Sequence, residues 1–245
     1  MKKYSLIFIV AFLFGTNQTF AQIKSGRILY QVSMQDFYDG GVKGKKVSPQ
    51  LELIYKLTAD AAKNIQLELF FNQETSVFQH QRGLSISDFE EMDEFVKYLT
   101  AKGTYFTNLD SSQQILQTQY QDNKYNVASE IENQDWTLTK EQRRIGAFVC
   151  YKAILEKSNT GLNEDTIAWY APEIPFSYGP TEHVGNLPGL ILELQLPIAT
   201  YTASKVDLNP KKEVKIDWPN NIETITEEEY KKEGDKALSK LGSGW

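Results

Sequence analysis

The side chains best suited to chemistry in this chain are one cysteine and two histidines. Cys150, His80 and His183 are its only thiol and imidazole groups. A thiolate beside an imidazole can act as a nucleophile with its general base, and Asp165 or Glu182 could orient the imidazole of His183. Cys150 with His183 is therefore the one pair in the sequence that would predict covalent catalysis, of the hydrolase type.

The surroundings of Cys150 favour a structural role instead. Val149 and Tyr151 flank it in a probable strand, where a thiol is commonly a small buried side chain. A lone cysteine can form no disulfide within the chain, and burial would protect it from oxidants outside the cytoplasm. We therefore expect no catalytic residue, and we keep a cysteine-dependent hydrolase only as a remote alternative.

No metal or cofactor motif is recognisable in the sequence. The two histidines and the cysteine lack the spacing of zinc ligands. A phosphate-binding glycine loop, a Gly-x-Ser-x-Gly elbow and a dinucleotide fingerprint are missing as well. We expect no metal and no cofactor, and we interpret the acidic runs Glu90-Glu91 and Glu227 to Glu229 as solvated helix faces.

The first 21 residues have the pattern of a secretory signal peptide. Two lysines precede the apolar run Leu6 to Phe14, and Thr19 and Ala21 occupy the small-residue positions of a cleavage site. The pattern predicts cleavage before Gln22 and a location in the periplasm or outside the cell. A membrane anchor is the alternative, but the apolar run is shorter than the ~20 residues that span a bilayer.

The mature chain is acidic. Cleavage would remove two of the 26 Lys and Arg residues and none of the 32 Asp and Glu residues, so the net charge would change from −6 to −8. This balance argues against a nucleic-acid partner. Because no linker-like composition interrupts residues 22–245, we expect one mainly-β domain that ends in a charged helix.

Alternation of apolar and polar residues is the main structural signal. It is clearest in Ile65 to Phe71, Leu190 to Leu196 and Val214 to Trp218, which predicts strands with one buried face. Weaker strand candidates are Ile28 to Met34, Leu51 to Leu57, Ser76 to His80, Thr104 to Thr107, Ile115 to Tyr120, Trp136 to Thr139, Ala147 to Glu156, Thr166 to Tyr170 and Thr200 to Val206. So many short strands with few helices between them favour antiparallel pairing. The predicted fold class is mainly β with minor α: a large curved antiparallel sheet, a half-barrel or a sandwich.

Two segments have helical spacing instead. Apolar residues recur every three or four positions from Ser87 to Leu99, and Ser87 with Glu90 makes a capping box. Near the end of the chain, Thr226 and Glu229 could cap a charged surface helix that runs to about Leu238.

The segment from Trp169 to Leu196 carries a family resemblance. It reads W-Y-A-P-E-I-P-F-S-Y-G-P-T-E-H-V-G-N-L-P-G-L-I-L-E-L-Q-L. It resembles the GLPGLI family of exported bacterial proteins, with Leu187 to Ile191 matching the name-giving stretch and Asn186 replacing its first glycine. Further matches at the expected spacings are Trp169-Tyr170, Ile174-Pro175, Gly179-Pro180 and the run Ile145-Gly146, Cys150, Lys152-Ala153. The resemblance implies a Gram-negative envelope protein, and it brings no assigned activity and no catalytic residue.

Backbone geometry alone can explain why these residue types occur in the motif, without a catalytic role for them. Leu187, Pro188 and Gly189 predict a tight turn into the following strand, and Asn186 could replace glycine because asparagine tolerates positive φ. The motif residues interpreted as structural are Gly146, Cys150, Pro175, Gly179, Pro180, Leu187, Pro188 and Gly189. The alternative is that the loop forms a recognition surface, with Trp169, Tyr170, Tyr178 and His183 as tentative binding residues.

Two non-enzymatic functions remain, from different classes. The first is the binding or carriage of an apolar or amphipathic, lipid-like ligand in the concavity of the curved sheet. It predicts a large cavity lined by aliphatic and aromatic side chains, with the helix Ser87 to Leu99 as a lid. The second is an accessory subunit of an outer-membrane transport or secretion complex, which predicts a filled core and an apolar surface patch.

Overall fold

The computed structural model describes residues 22–34, 47–81, 90–120, 123–156, 165–220 and 222–232. The predicted signal peptide, residues 1–21, lies outside the described residues, which begin directly after the predicted cleavage site. The described residues contain a single 12-stranded sheet and two longer helices. The predicted class, mainly β with few helices, is confirmed.

The strands are short and are antiparallel to their neighbours, apart from the last. Their bounds are β1 Gly26–Ser33, β2 Gln66–Phe71, β3 Thr75–His80, β4 Thr104–Asn108, β5 Gln113–Tyr120, β6 Asn123–Glu130, β7 Thr137–Ile145, β8 Phe148–Leu155, β9 Thr166–Ala171, β10 Leu190–Gln195, β11 Thr200–Leu208 and β12 Thr224–Thr226. Their order in the sheet is β12-β6-β5-β4-β3-β2-β1-β11-β10-β9-β8-β7, and β12 pairs in parallel with β6. Two meanders, β1 to β6 and β7 to β11, therefore join along β1 and β11.

The connection between β6 and β7 requires the sheet to curve. These strands are ten positions apart in the sheet order, about 48 Å if the sheet were flat. Only residues 131–136 join them, and seven residue steps reach about 24 Å at most. The two sides of the open sheet must therefore curl towards each other and enclose a concave inner face.

The apolar core lies on this inner face. Ile28 and Tyr30 of β1 lie beside Leu69 of β2 and Phe78 of β3, and all four are nearly inaccessible to solvent. The register places each of them on the same face as its neighbour, which is what the period-two pattern predicted. The phenol of Tyr30 donates a hydrogen bond to the Ile191 carbonyl at 2.6 Å, so β1 and β10 are also linked through the core.

Helix α1, Pro49–Ala62, corrects one strand prediction. Leu51 to Leu57 was expected as a strand, but Ser48 caps a helix here by accepting a hydrogen bond from the Leu51 amide, and Pro49 occupies the first turn. The apolar residues of this segment do not determine its structure, because they remain exposed. The helix is instead anchored through Ala59 and Ala62, which are buried.

Helix α2, Glu90–Thr100, confirms the predicted helix over its described part. Residues 87–89, and with them the expected capping box, lie outside the described residues. Val96 and Thr100 are buried, and the Thr100 carbonyl accepts a hydrogen bond from the Tyr201 phenol of β11. The C-terminal end of α2 is thereby fixed over the inner face.

The segment Val214 to Trp218 is not a strand, although its alternation is the same as that of the strands. It lies against the outer face, where the Trp218 ring packs edge-on against Phe106 of β4 at 6.2 Å. The buried Asn126 of β6 fixes the chain that follows by donating hydrogen bonds to the Pro219 and Ile222 carbonyls. One side of this extended segment is covered, so alternation arises without strand pairing.

Two strands were not predicted from the sequence, whereas one predicted helix cap is present. Strand β6 was not predicted, because its inward residues alternate weakly, and β12 is only three residues long. The predicted cap is present: the Glu229 carboxylate accepts from the Thr226 amide at 2.8 Å, and Thr226 Oγ1 accepts from the Glu229 amide at 3.2 Å. Residues 227–232 are helical, and the expected end near Leu238 lies outside the described residues.

In the described part of the chain, no helix has the length and apolar character needed to cross a membrane.

Candidate functional site

Residues 172–189, between β9 and β10, fold back into the concavity, and we call them the inner segment. The ring of Tyr178 packs against Phe71 of β2 with 5.9 Å between centroids, and Ile174 is fully buried. The side-chain amide of Gln114 in β5 donates to the Thr181 carbonyl at 3.3 Å. The segment therefore crosses the inner face and fills much of the space that a simple half-barrel would leave open.

Glycines in and beside this segment allow close approach of backbones. At Gly189, a Cβ would lie 2.7 Å from the Ala171 carbonyl carbon, and at Gly179 it would lie 2.7 Å from the His183 carbonyl oxygen. The expected tight turn is present, since the Gly189 amide donates to the Leu187 carbonyl at 2.9 Å around Pro188. Gly179 and Gly189 therefore occupy positions where a larger residue would clash with neighbouring backbone.

Asn186 has a different role from the expected one. The residues of the inner segment with positive φ are Thr181 and Gly185, at 57° and 82°. The side-chain NH2 of Asn186 instead donates to the backbone carbonyls of Glu132 and Val184, and its side-chain oxygen accepts from the Gln134 backbone amide. Its side chain therefore ties the inner segment to the connection between β6 and β7, which a glycine could not do.

The four tentative binding residues are not assembled into one surface. Tyr178 and Tyr170 are buried in the core, and Tyr170 packs against Tyr151 with 6.1 Å between centroids. Trp169 lies on the other side of β9, where the Arg143 guanidinium covers its ring at 4.1 Å. His183 is also buried, at 7% exposure, but it is the one of the four that borders a cavity.

Cys150 and His183 do not form a nucleophile–base pair. The His183 Nδ1 atom lies 3.1 Å from Thr181 Oγ1, and the Cys150 thiol has the Phe148 carbonyl at 4.0 Å as its hydrogen-bond acceptor. Burial raises the pKa of the Cys150 thiol to about 11, so the group is protonated at neutral pH. Burial also lowers the pKa of His183, which keeps the imidazole neutral.

We predict that the native Cys150 thiol is almost unreactive. Because the side chain is inaccessible and protonated, iodoacetamide at pH 7.5 should modify it more than tenfold more slowly in the native protein than in 8 M urea. Mass spectrometry of timed samples measures this ratio. Cys150→Ala should cost about 1 kcal/mol in unfolding free energy. Complete native labelling within minutes would contradict the buried thiol.

A cavity of about 900 Å³ opens at one end of the concavity. Five parts of the chain supply most of the lining: the end of α2 with the two residues after it, the connection between β6 and β7, the facing ends of β8 and β9, the inner segment, and the turn between β10 and β11. Single residues of β4, β7 and β11 complete it. The lining residues are Tyr98, Leu99, Thr100, Ala101, Lys102, Tyr105, Glu132, Asn133, Gln134, Asp135, Thr137, Leu155, Glu156, Thr166, Thr181, Glu182, His183, Leu196, Pro197, Ile198 and Tyr201. Apolar and polar side chains thus share the lining.

Acidic side chains outnumber basic ones in this lining. Its described residues include four carboxylates, Glu132, Asp135, Glu156 and Glu182, and one ammonium group, that of Lys102. None of the four carboxylates forms an ion pair with another described residue. A smaller cavity of about 270 Å³ continues along β5 and β6 and adds two more carboxylates, those of Glu130 and Glu227.

Few of the residues that line this cavity were predicted from the sequence. Glu182 was considered only as a possible partner of His183, and the other lining carboxylates were not singled out. They lie in connections or at the ends of strands, where an acidic residue carries no special signal. The predicted helix and His183 were the useful indications, because the C-terminal end of the helix and the His183 side chain both line the cavity. Among the described residues, no cluster of three or more potential metal ligands occurs.

Comparison with known families gives one match. The model of a family described as "Protein of unknown function (Porph_ging)" matches residues 156–193. The matched residues include β9, the inner segment and the start of β10. No curated protein sequence matches the chain.

Comparison with solved structures gives a similar fold at low sequence identity. Two structures of PNGF-II, in space groups P21 and C2, superpose with TM-scores of 0.53 and 0.54 at 15% and 14% identity. In both cases 85% of this chain is covered, but only 32% of the PNGF-II chain. This chain therefore spans about a third of the structures that it resembles, and the similarity shows the fold alone.

Proposed function

We propose that this chain is a non-enzymatic, exported envelope protein of the GLPGLI type that binds an amphipathic ligand at the open end of its curved sheet. Cleavage before Gln22 would release it into the periplasm or beyond. The cavity of about 900 Å³ is the observation that carries the proposal. Its size lies within the ordinary range of small-molecule sites.

The lining supports an amphipathic rather than a purely apolar ligand. Leu99, Ile198 and the ring of Tyr105 offer apolar surface, while amides and carboxylates of residues 132–135 face the same space. A simple lipid tail would leave those polar groups without partners, which costs binding free energy. A ligand with a short apolar part and a polar head satisfies both kinds of lining.

Native mass spectrometry of the mature protein purified from its own envelope tests this function. We expect a small molecule in one-to-one stoichiometry. Thr166→Trp should displace it, because Thr166 lines the cavity, whereas the matched Thr224→Trp changes an exposed residue of β12 outside the lining. A protein that is always empty, or a ligand retained equally in both variants, would contradict the proposal.

An accessory-subunit role is the second candidate, and one surface feature favours it. Leu51, Leu53, Ile54 and Leu57 of α1 are 41–55% exposed, and Phe95 of α2 is 48% exposed. Such an apolar patch is typical of a surface that contacts a partner. Stoichiometric co-purification of one envelope protein, lost in Ile54→Glu and kept in Thr166→Trp, would favour this role over ligand binding.

A further inference from the structure

If the proposed function is correct, the polar groups that line the cavity decide which charge its ligand carries. Two observations on separate groups bear on it: the lining carboxylates, which form no ion pair with another described residue, and the buried imidazole of His183. A ring of acidic residues alone would be ordinary solvated surface. The buried imidazole is a separate observation, because its burial follows from the packing of the inner segment.

The carboxylates create a negative field inside a partly enclosed space. Glu132 and Asp135 extend from the connection between β6 and β7, while Glu182 extends from the inner segment on another side of the same cavity. Lys102 is the one cation among the described lining residues. Carboxylates gathered around a cleft attract a cation more strongly than the same charges spread over a flat surface.

His183 supplies the second observation. The side chain is more than nine-tenths buried and lines the cavity, and its Nδ1 atom is occupied by Thr181 Oγ1. Within the part of the chain that the structure describes, Nε2 has no hydrogen-bond partner. When the Thr181 hydroxyl accepts from Nδ1–H, Nε2 is an acceptor, and an ammonium or guanidinium group is the donor that suits it.

We infer that the cavity binds a small amphipathic cation, in which a protonated amine or guanidinium lies among Glu132, Glu182 and His183. The apolar part of such a ligand contacts Leu99, Ile198 and the Tyr105 ring. An anionic amphiphile of the same length meets repulsion from the carboxylates.

Three probes with the same tail separate the head-group effect from the tail effect. Octylammonium, 1-octanol and octanoate are titrated calorimetrically into residues 22–245 in 50 mM NaCl at pH 7. We expect octylammonium to bind at least tenfold more tightly than 1-octanol, and octanoate to bind most weakly. Raising NaCl to 300 mM should weaken only the octylammonium complex, because the added ions screen its attraction to the carboxylates.

Charge-neutralising variants locate the effect. The double variant Glu132→Gln with Glu182→Gln should weaken octylammonium binding about tenfold and leave 1-octanol binding unchanged. Asp207→Asn, an exposed carboxylate of β11 outside the lining, is the control and should change neither affinity.

The possible results separate this inference from the proposed function. Equal affinity for the three probes, or an octylammonium preference that survives the double variant, overturns the inference and leaves an amphipathic ligand site in place. No binding of any of the three probes overturns the amphipathic ligand class itself.

Discussion

Gly189→Ala should destabilise the protein by about 3 kcal/mol or more. A Cβ at this position would meet the Ala171 carbonyl and the Pro172 Cα, the latter at 2.9 Å. These atoms are backbone, and Ala171 pairs with Leu190 in the ladder between β9 and β10. The clash therefore cannot be relieved by rotating a side chain, and the ladder or the inner segment must shift. Urea unfolding followed by tryptophan fluorescence measures the loss.

Gly146→Ala is the matched control for this prediction. Gly146 begins the two-residue hairpin loop between β7 and β8 at φ +57°, but no atom lies within 4 Å of the position that a Cβ would occupy there. The cost is limited to the left-handed backbone of an alanine, about 1–2 kcal/mol. A loss at Gly189 no larger than the loss at Gly146 would mean that the inner segment does not pack closely against β9.

The protein should lose stability between pH 7.5 and pH 5 because of His80. Burial, helped by the nearby Lys97 charge, lowers the pKa of His80 to about 4. The Thr100 hydroxyl donates to the Val96 carbonyl, so its oxygen accepts from Nε2–H of the neutral ring at 3.3 Å. The unfolded chain takes up a proton below pH 6.5 and the folded chain does not, so stability is full above that pH and falls as pH decreases towards 4.

The expected loss from His80 at pH 5 is about 2 kcal/mol, and the lowered pKa of His183 acts in the same direction. Urea unfolding at both pH values measures it. His80→Gln keeps an amide that can donate to Thr100 but does not titrate, so the pH-dependent difference should shrink by about the same 2 kcal/mol. If the variant lost as much stability as the unaltered protein on acidification, His80 would not be the titrating group.

The limits of the alternation signal are visible in two segments. Leu190 to Gln195 and Val214 to Trp218 alternate equally well, but only the first is a strand. Val214 to Trp218 is an extended chain with one covered side, whereas Leu190 to Leu194 are buried on both faces of the sheet. Whether an extended chain also finds a hydrogen-bonding neighbour depends on segments far away in the sequence, as when Asn126 anchors the residues after Trp218.

Local capping chemistry was the more reliable guide to helices. Thr226 with Glu229 was identified correctly, because both partners lie within one turn of each other. The cap at Ser48 followed by Pro49 is equally local, but it was not recognised in the sequence, and the apolar residues after it predicted a strand instead of α1. The exposed side chains of α1 show that an apolar run need not be a buried strand.

The sequence by itself determined most of the strands, the helix α2, the turn at Pro188 and the burial of Cys150, since each depends on neighbours within a few residues. Only the tertiary structure decided that residues 172–189 lie inside the concavity, that Asn186 bridges to residues 132–134, and that carboxylates from separate connections share one cavity. The physical reason is the curvature of the sheet. It brings together groups that are distant in the sequence, such as Tyr30 and Ile191, which are 161 positions apart, and no local pattern encodes that proximity.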